Sequence, residues 1–281
     1  MTYAKCMVCG GSYRESKIPG LLTCLICGFV TANVSLSAEQ LRRLYSASYF
    51  NGEEYKNYVS ERALIEKQFR IRLKRLLRYV EDPAAKQLLE IGCAYGFFLS
   101  VARDSFRAVE GLDISEDAIR YAREELGLAV HAADFLKFEP AGRVDVVCLW
   151  DTIEHLERPD LYLEKAACMM QCGGLVALTT GDIGSLVARF RGVRWRQIHP
   201  PTHLQYFSRT TLLRLLEKCG FRVRYCGYDG MYRSVDTMAY IILNLKNRQP
   251  SLYSLLKRSG FLKWDLYLNL YDILFVVAER A

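Results

Sequence analysis

From residue 87 the chain alternates short, almost wholly apolar runs with amphipathic ones, and no other feature restricts its fold as much. "QLLEIG", "AVEGLDI", "AVHAAD", "VDVVCLWD" and "LVALTT" read as strands. Between most of them lie "FFLSVARDS", "SEDAIRYAREELG" and "PDLYLEKAACMMQCGG", which carry helical spacing and, in the last, a glycine stop. Strands that are apolar throughout must be buried on both faces, so the pattern predicts an α/β fold: a parallel sheet with helices on both sides. Ser115 with Asp117 should cap the second helix and Gly127 should end it. No internal repeat is visible. A chain of 281 residues has room for one large domain and an accessory piece. The expected division is 1–35, a metal ribbon; 36–84, a helical extension; and 85–281, the α/β domain.

The first strand runs into a glycine turn and then a helix, "LLEIGCAYGFFL". A dinucleotide fingerprint needs G-x-G-x-x-G, whereas this turn carries Glu90, Gly92, Ala94 and Gly96 with Phe97 after it. A phosphate-cradling G-x-x-x-x-G-K-[ST] is absent, so neither a nicotinamide cofactor nor a nucleoside triphosphate is expected. The turn suits a ligand without a phosphate chain.

Ten cysteines divide into two groups. Cys6 and Cys9, then Cys24 and Cys27, form two C-x-x-C pairs around a fourteen-residue loop. Each pair sets two thiolates on one side of a tight turn, relieved by Gly10 or Gly28. Four thiolates suit tetrahedral Zn2+, and a site filled by protein is structural. It would fold a segment too short for its own core. Cys93, Cys148, Cys168, Cys172, Cys219 and Cys226 lack ligand spacing and are expected to be buried apolar groups.

The net charge is +7. Much of the excess lies in "RALIEKQFRIRLKRLLR", Arg62 to Arg78, where Ile65, Phe69, Leu73, Leu76 and Leu77 make an apolar stripe. Arg70, Lys74, Arg75 and Arg78 are expected on the solvated faces. Charge alone does not imply nucleic acid. The N-terminal residues lack an apolar run after a basic start, and other uncharged stretches are interrupted by Gly, Pro or polar residues. A soluble, cytoplasmic protein without a membrane span is expected.

With these residues in view, the chain resembles the class I S-adenosylmethionine-dependent methyltransferases over about residues 85–230 and the last strand. That family's E-x-G-x-[GAS]-x-G is matched by Glu90, Gly92, Ala94 and Gly96. Its acid at the end of the next strand is matched by Asp113, beside Ile114, and would bind the ribose hydroxyls. Asp134 would bind the adenine amino group beside Phe135. "LWDTIEHL" and "QCGGLVALTT" match the segment after the fourth strand and its glycine turn, with Trp150 and Asp151 at the cofactor. The resemblance implies a Rossmann-like, seven-stranded, mostly parallel sheet completed by "FRVRYCGYDG" and "DILFVVAER". It also implies S-adenosyl-L-methionine as cofactor, with Tyr49, Phe50, Tyr55 and Tyr58 of "YSASYFNGEEYKNY" closing over it. Leu36 to Tyr45 reads as a helix.

A hydroxyl acceptor benefits from a base near neutral pKa, which makes histidine the natural candidate. His131 lies within a strand and is expected to be structural. His203, in "PTHLQYFS", is the first candidate for base or acceptor positioning, and His155 the second. Arg189, Arg191, Arg194 and Arg196 favour an acceptor carrying an anion, such as a nucleotide- or lipid-linked sugar. Residues 231–271 are long for a hairpin link and should form a helical insertion: a lid or core, ahead of a dimer face or a peripheral membrane contact. Methylation of a small-molecule or glycan hydroxyl is therefore the leading reading. The other enzymatic readings are a sugar C-methyltransferase and an RNA methyltransferase. Against RNA, only Arg14 and Lys17 are basic between the outer cysteines, and strand four lacks [DN]-P-P-[FY]. A non-catalytic ribbon-binding module would leave the Glu90, Gly92, Gly96 and Asp113 set without a purpose.

Overall fold

The computed structural model describes residues 5–34, 58–140, 142–240, 242–243 and 248–281. The expected helix over Leu36–Tyr45, and Tyr49, Phe50 and Tyr55, lie outside the described residues. The strands are β1 (Tyr13–Glu15), β2 (Leu21–Cys24), β3 (Val30–Ala32), β4 (Gln87–Ile91), β5 (Ala108–Asp113), β6 (Ala129–Ala132), β7 (Val146–Trp150), β8 (Leu175–Gly181), β9 (Gln205–Tyr206), β10 (Phe221–Tyr228), β11 (Met231–Ser234), β12 (Asp265–Leu268) and β13 (Ile273–Arg280). The helices are α1 (Arg62–Leu76), α2 (Phe97–Ala102), α3 (Glu116–Glu124), α4 (Pro159–Met169), α5 (Leu186–Arg191), α6 (Arg209–Lys218), α7 (Val235–Ala239) and α8 (Pro250–Arg258).

Seven strands form one sheet in the order β10-β13-β8-β7-β4-β5-β6. β4 through β8 pair in parallel, while β13 runs antiparallel to both β8 and β10. Period-two alternation splits the strand side chains between two cores. Leu89, Leu149, Leu178 and Val276 face α4 and α6, whereas Leu88, Cys148, Ala177 and Val277 face α1, α2 and α3. Each fully buried leucine contributes roughly 1.5–3 kcal/mol, and this double burial is why the strand sequences lack polar alternation. β4 lies between β5 and β7, so chain connections leave it toward opposite sides and open a crevice at the carboxyl ends of the strands.

The ribbon is joined to this domain by backbone hydrogen bonds. β1, β2 and β3 pair antiparallel, and β3 continues onto β9 through Val30–Tyr206 and Thr31–Gln205. Met7, Val8 and Phe29 share the core of α6, with the Phe29 ring 5.3 Å from that of Phe207. Lys218 donates to the Met7 carbonyl at 2.6 Å.

Several expectations need correction. Arg75 is not on a solvated face: it donates to Asp229 at 2.9 Å and sits 4.2 Å over the Phe275 ring, while Arg70, Lys74 and Arg78 are exposed. Ser115 precedes α3 without a side-chain cap bond, and its N–H donates to Asp113. Cys168 and Cys172 are exposed, since they lie on the outer side and past the end of α4, and Cys226 is half-buried. Within residues 231–271, β11 and β12 pair as an antiparallel ribbon beside the short helices, so the insertion is not purely helical. Its outer side chains are largely exposed, which removes the core reading for them.

Candidate active site

A cavity of about 450 Å³ opens at the crevice, large enough for a cofactor or drug-sized ligand. Its floor is the turn between β4 and α2. Gly92 (φ +76°) needs glycine twice over: its φ is left-handed, and a Cβ would fall 2.6 Å from the Thr152 side chain. Ala94 also takes a left-handed φ, +44°, and its N–H donates to Asp113 Oδ2 at 2.8 Å. The N–H of Ser115 donates to Asp113 Oδ1 at 2.9 Å. Burial raises the Asp113 pKa against those N–H donors. Gly96 lies below the turn, where a Cβ would meet Leu128 at 2.6 Å.

Ile114, Asp134, Phe135, Trp150, Asp151 and Tyr58 complete much of the wall. Asp134 accepts from Leu136 N–H and from the Tyr162 hydroxyl, both at 3.0 Å. Tyr58 stacks on Phe97, with ring centroids 5.3 Å apart. Thus the cofactor-side residues expected from the sequence converge on one cavity, apart from Gly96, which shapes its turn from behind.

The cavity also shows residues that sequence reasoning missed. Arg72 of α1 is 2% exposed; its Nη1 donates to Asp151 Oδ2 at 2.7 Å and its Nε to buried Asp229 at 2.8 Å. Burial works against the charge on Arg72, but Asp151 and Asp229 outweigh it and raise its pKa. Burial likewise pushes Asp151 up, and Arg72 reverses this to hold it below the usual carboxylate range. The signal was present: Arg72 interrupts the apolar stripe between Phe69 and Leu76, and a charge on a buried helix face needs a partner. Arg72 Nη2, Glu90 Oε2 and Trp150 Nε1 are buried without a hydrogen-bond partner among the described residues. A ligand with both donors and acceptors would satisfy such a set.

His155 lines the cavity on the single 3₁₀ turn after β7, and His203 stands behind it with ring centroids 4.5 Å apart. His155 lines the cavity, whereas His203 is buried and does not line it. His155 Nδ1 donates to the Thr202 carbonyl at 2.9 Å, and His203 Nδ1 to that of Gln197 at 3.0 Å. These carbonyls assign Nε2 as the acceptor in each ring. Burial lowers the His155 pKa to about 4 and pushes His203 lower still. Glu154, also missed, is raised to about 8 by burial and then by Asp151. Glu154, His155 and His203 each bring one donor atom within 4.8 Å of the others, a spacing at which a cation can sit. His131 is exposed and bonds Glu110 at 2.8 Å, away from the cavity. Arg189, Arg191 and Arg194 are exposed and outside the cavity lining, and Arg196 bonds Asp272.

In the ribbon, the Sγ atoms of Cys6, Cys9, Cys24 and Cys27 lie within 4.8 Å of one another. Cys6–Cys27 is 3.6 Å and Cys9–Cys24 3.5 Å, near the roughly 3.8 Å edge of a tetrahedron with 2.3 Å Zn–S bonds. The donor set therefore fits zinc. Burial raises the Cys24 pKa, but the N–H groups of Cys27 and Ile26 overcome it and hold the thiol at about 7.

Sheet order, crevice and glycine turn define a Rossmann-like methyltransferase fold. The family described as Methyltransferase domain matches residues 37–225, and the chain belongs to it. It is similar to a ubiquinone biosynthesis O-methyltransferase of Cupriavidus pinatubonensis, 32% identical over 34% of this chain and 42% of that protein. It is also similar to a dTDP-3-amino-3,6-dideoxy-alpha-D-glucopyranose N,N-dimethyltransferase of Streptomyces fradiae, 35% identical over 34% of this chain and 40% of that one. The chain thus spans less than half the length of these relatives. Among solved structures, magnesium protoporphyrin IX methyltransferase from Synechocystis superposes with a TM-score of 0.56 at 14% identity, covering 87% of this chain and all of that one. At that identity the likeness speaks to fold alone.

Proposed function

We propose that the enzyme methylates a hydroxyl of a small molecule or glycan intermediate, with the acceptor linked to an anionic carrier, either a nucleotide or a lipid. The observation that carries the hydroxyl reading is the His155 imidazole on the cavity wall with its Nδ1 fixed by Thr202. The cofactor, when bound, supplies an electrophilic sulfonium methyl group. The protein's part is then alignment and proton removal. Asp113 receives the ribose hydroxyls, Asp134 with Phe135 the adenine, and the Gly92–Gly96 turn lets the backbone approach closely. Arg72, Glu90 and Trp150 offer the unmet polar atoms for the amino-acid end. His155 Nε2 accepts the hydroxyl proton, with His203 behind it as a positioning residue. The carrier's anion is drawn by the arginines at the same sheet edge. Zinc on the four cysteines holds the ribbon, and the ribbon holds the histidine segment: Ala32 N–H and Thr31 Oγ1 both donate to the Leu204 carbonyl, while Leu204 N–H donates to the Glu154 carbonyl.

The test is calorimetric titration of zinc-replete protein with S-adenosylmethionine, followed by transfer of labelled methyl to a panel of nucleotide- and lipid-linked sugars. Label recovered as a methyl ether is the expected outcome. Label on carbon or on an amine would replace the hydroxyl reading.

A further inference from the structure

Two segments rise from the sheet edge that holds the cavity. Residues 186–194 follow β8 after Gly181, and residues 250–271 end just before β13, whose Ile273 pairs with Gly181. Their roots are tied together, since Trp195 Nε1 donates to Asp272 Oδ2 at 3.0 Å and Arg196 to Oδ1 at 3.4 Å. Both segments turn large apolar groups to solvent: Phe190 is 94% exposed, Leu186 83%, Phe261 72% and Trp264 69%. Burying such groups is favourable, so an exposed cluster of them costs solubility unless something covers it.

The charges between these apolar groups identify the cover. Arg189, Arg191 and Arg194 lie in the first segment, and Lys257, Arg258 and Lys263 in the second. The first segment has no acid, and in the second the one acid, Asp265, pairs with Lys67 of α1 at 3.3 Å. Arg189, Arg191, Arg194, Arg258 and Lys263 are exposed. A second copy apposing the same face would set cation against cation. Lys257 pairs with Asp236 at 3.0 Å, and the remaining mixture of aromatic groups, leucines and cations instead matches an interface that is apolar beneath and anionic at its surface. No helix among the described residues is long and apolar enough to cross a membrane, so the contact lies along the surface.

We propose that this edge docks the enzyme on an anionic phospholipid bilayer, with Phe190 and Trp264 entering the headgroup layer and the arginines and lysines meeting the phosphates. Docking so oriented brings the cavity mouth to the lipid surface, where a lipid-linked acceptor would be presented. This extends the proposed reaction, but the docking stands on surface chemistry and not on the identity of the acceptor.

The experiment is co-sedimentation of the full, zinc-replete chain with phosphatidylcholine vesicles, with and without phosphatidylglycerol. The wild type should pellet with the phosphatidylglycerol vesicles, less so at high salt. The double variant Phe190→Ser with Trp264→Ser should partition roughly tenfold less, as loss of two interfacial aromatic groups predicts. Both side chains are outside the cavity, so the variant should keep wild-type affinity for S-adenosylmethionine by calorimetry, which checks its fold. Absence of pelleting by wild type, or equal pelleting by the variant, overturns docking and leaves the proposed reaction standing. A doubled mass by light scattering that the variant abolishes would assign the face to a second copy and likewise overturn it.

Discussion

The two sides of the sheet are organised differently. Along β4, β5 and β6 the cavity is made by residues at the ends of consecutive strands, placed by contacts reaching no more than 28 residues along the chain: Asp113 by Ser115 and Ala94, Asp134 by Leu136 and Tyr162. Along β7 and β8 the placing contacts span the chain. Thr202 holds His155, Leu204 holds Glu154, and Leu204 is itself held by Thr31 and Ala32 of the ribbon. A cofactor common to a whole family can be served by local geometry, whereas the side proposed here to take the acceptor depends on assembly of three distant segments.

Removing Asp113 should break the first side and leave the second intact. Asp113→Ala loses a charged acceptor and strands two N–H donors, so affinity for S-adenosylmethionine should fall roughly 100-fold by calorimetry. Unchanged affinity would take Asp113 out of the cofactor site. The reverse should hold for His155→Ala: turnover with the true acceptor lower by roughly 100-fold, and cofactor affinity unaltered. His203→Ala should cost only about tenfold, because it acts through His155. If His203→Ala proved the more damaging, the imidazole behind the wall would be the base. A smaller effect sharpens the role of the ribbon. Cys24→Ala should lose zinc by metal analysis and lower turnover about tenfold while cofactor affinity stays within error. A matching loss of cofactor affinity would show that the two sides are not separable.

The same contrast explains what could be read from the sequence. Strand and helix alternation, the glycine turn, Asp113 and Asp134 depend on local patterns, and the cavity unites them. Arg72 was missed although it breaks an apolar stripe, because its justification, Asp229, lies 157 residues away. That His155 lines the cavity while His203 is buried behind it was not legible either, since His203 stands beside β9, whose pairing with the ribbon sheet no local period announces. The insertion was misread as purely helical because apolar, aromatic runs such as "DLYLNL" do not distinguish a short strand from a helix by periodicity alone.

The mildest test uses pH and asks whether the acceptor-side cluster is as dry as its burial implies. Folded His155 resists protonation down to about pH 4, whereas in the unfolded chain it would charge near its ordinary 6.5. Between those values the unfolded state binds the extra proton, so stability falls as pH drops from about 6.5 to 4. Glu154 acts in the opposite direction. Folded, it keeps its proton up to about pH 8; unfolded, it loses it near 4.5, so its contribution is full below 4.5 and is lost as pH rises toward 8. His155→Gln should remove the fall in Tm as pH drops from about 6.5 to 4, and Glu154→Gln the opposing fall as pH rises from about 4.5 to 8. If neither slope changes, water reaches the cluster, and the neutral imidazole assigned to the cavity wall loses its physical basis.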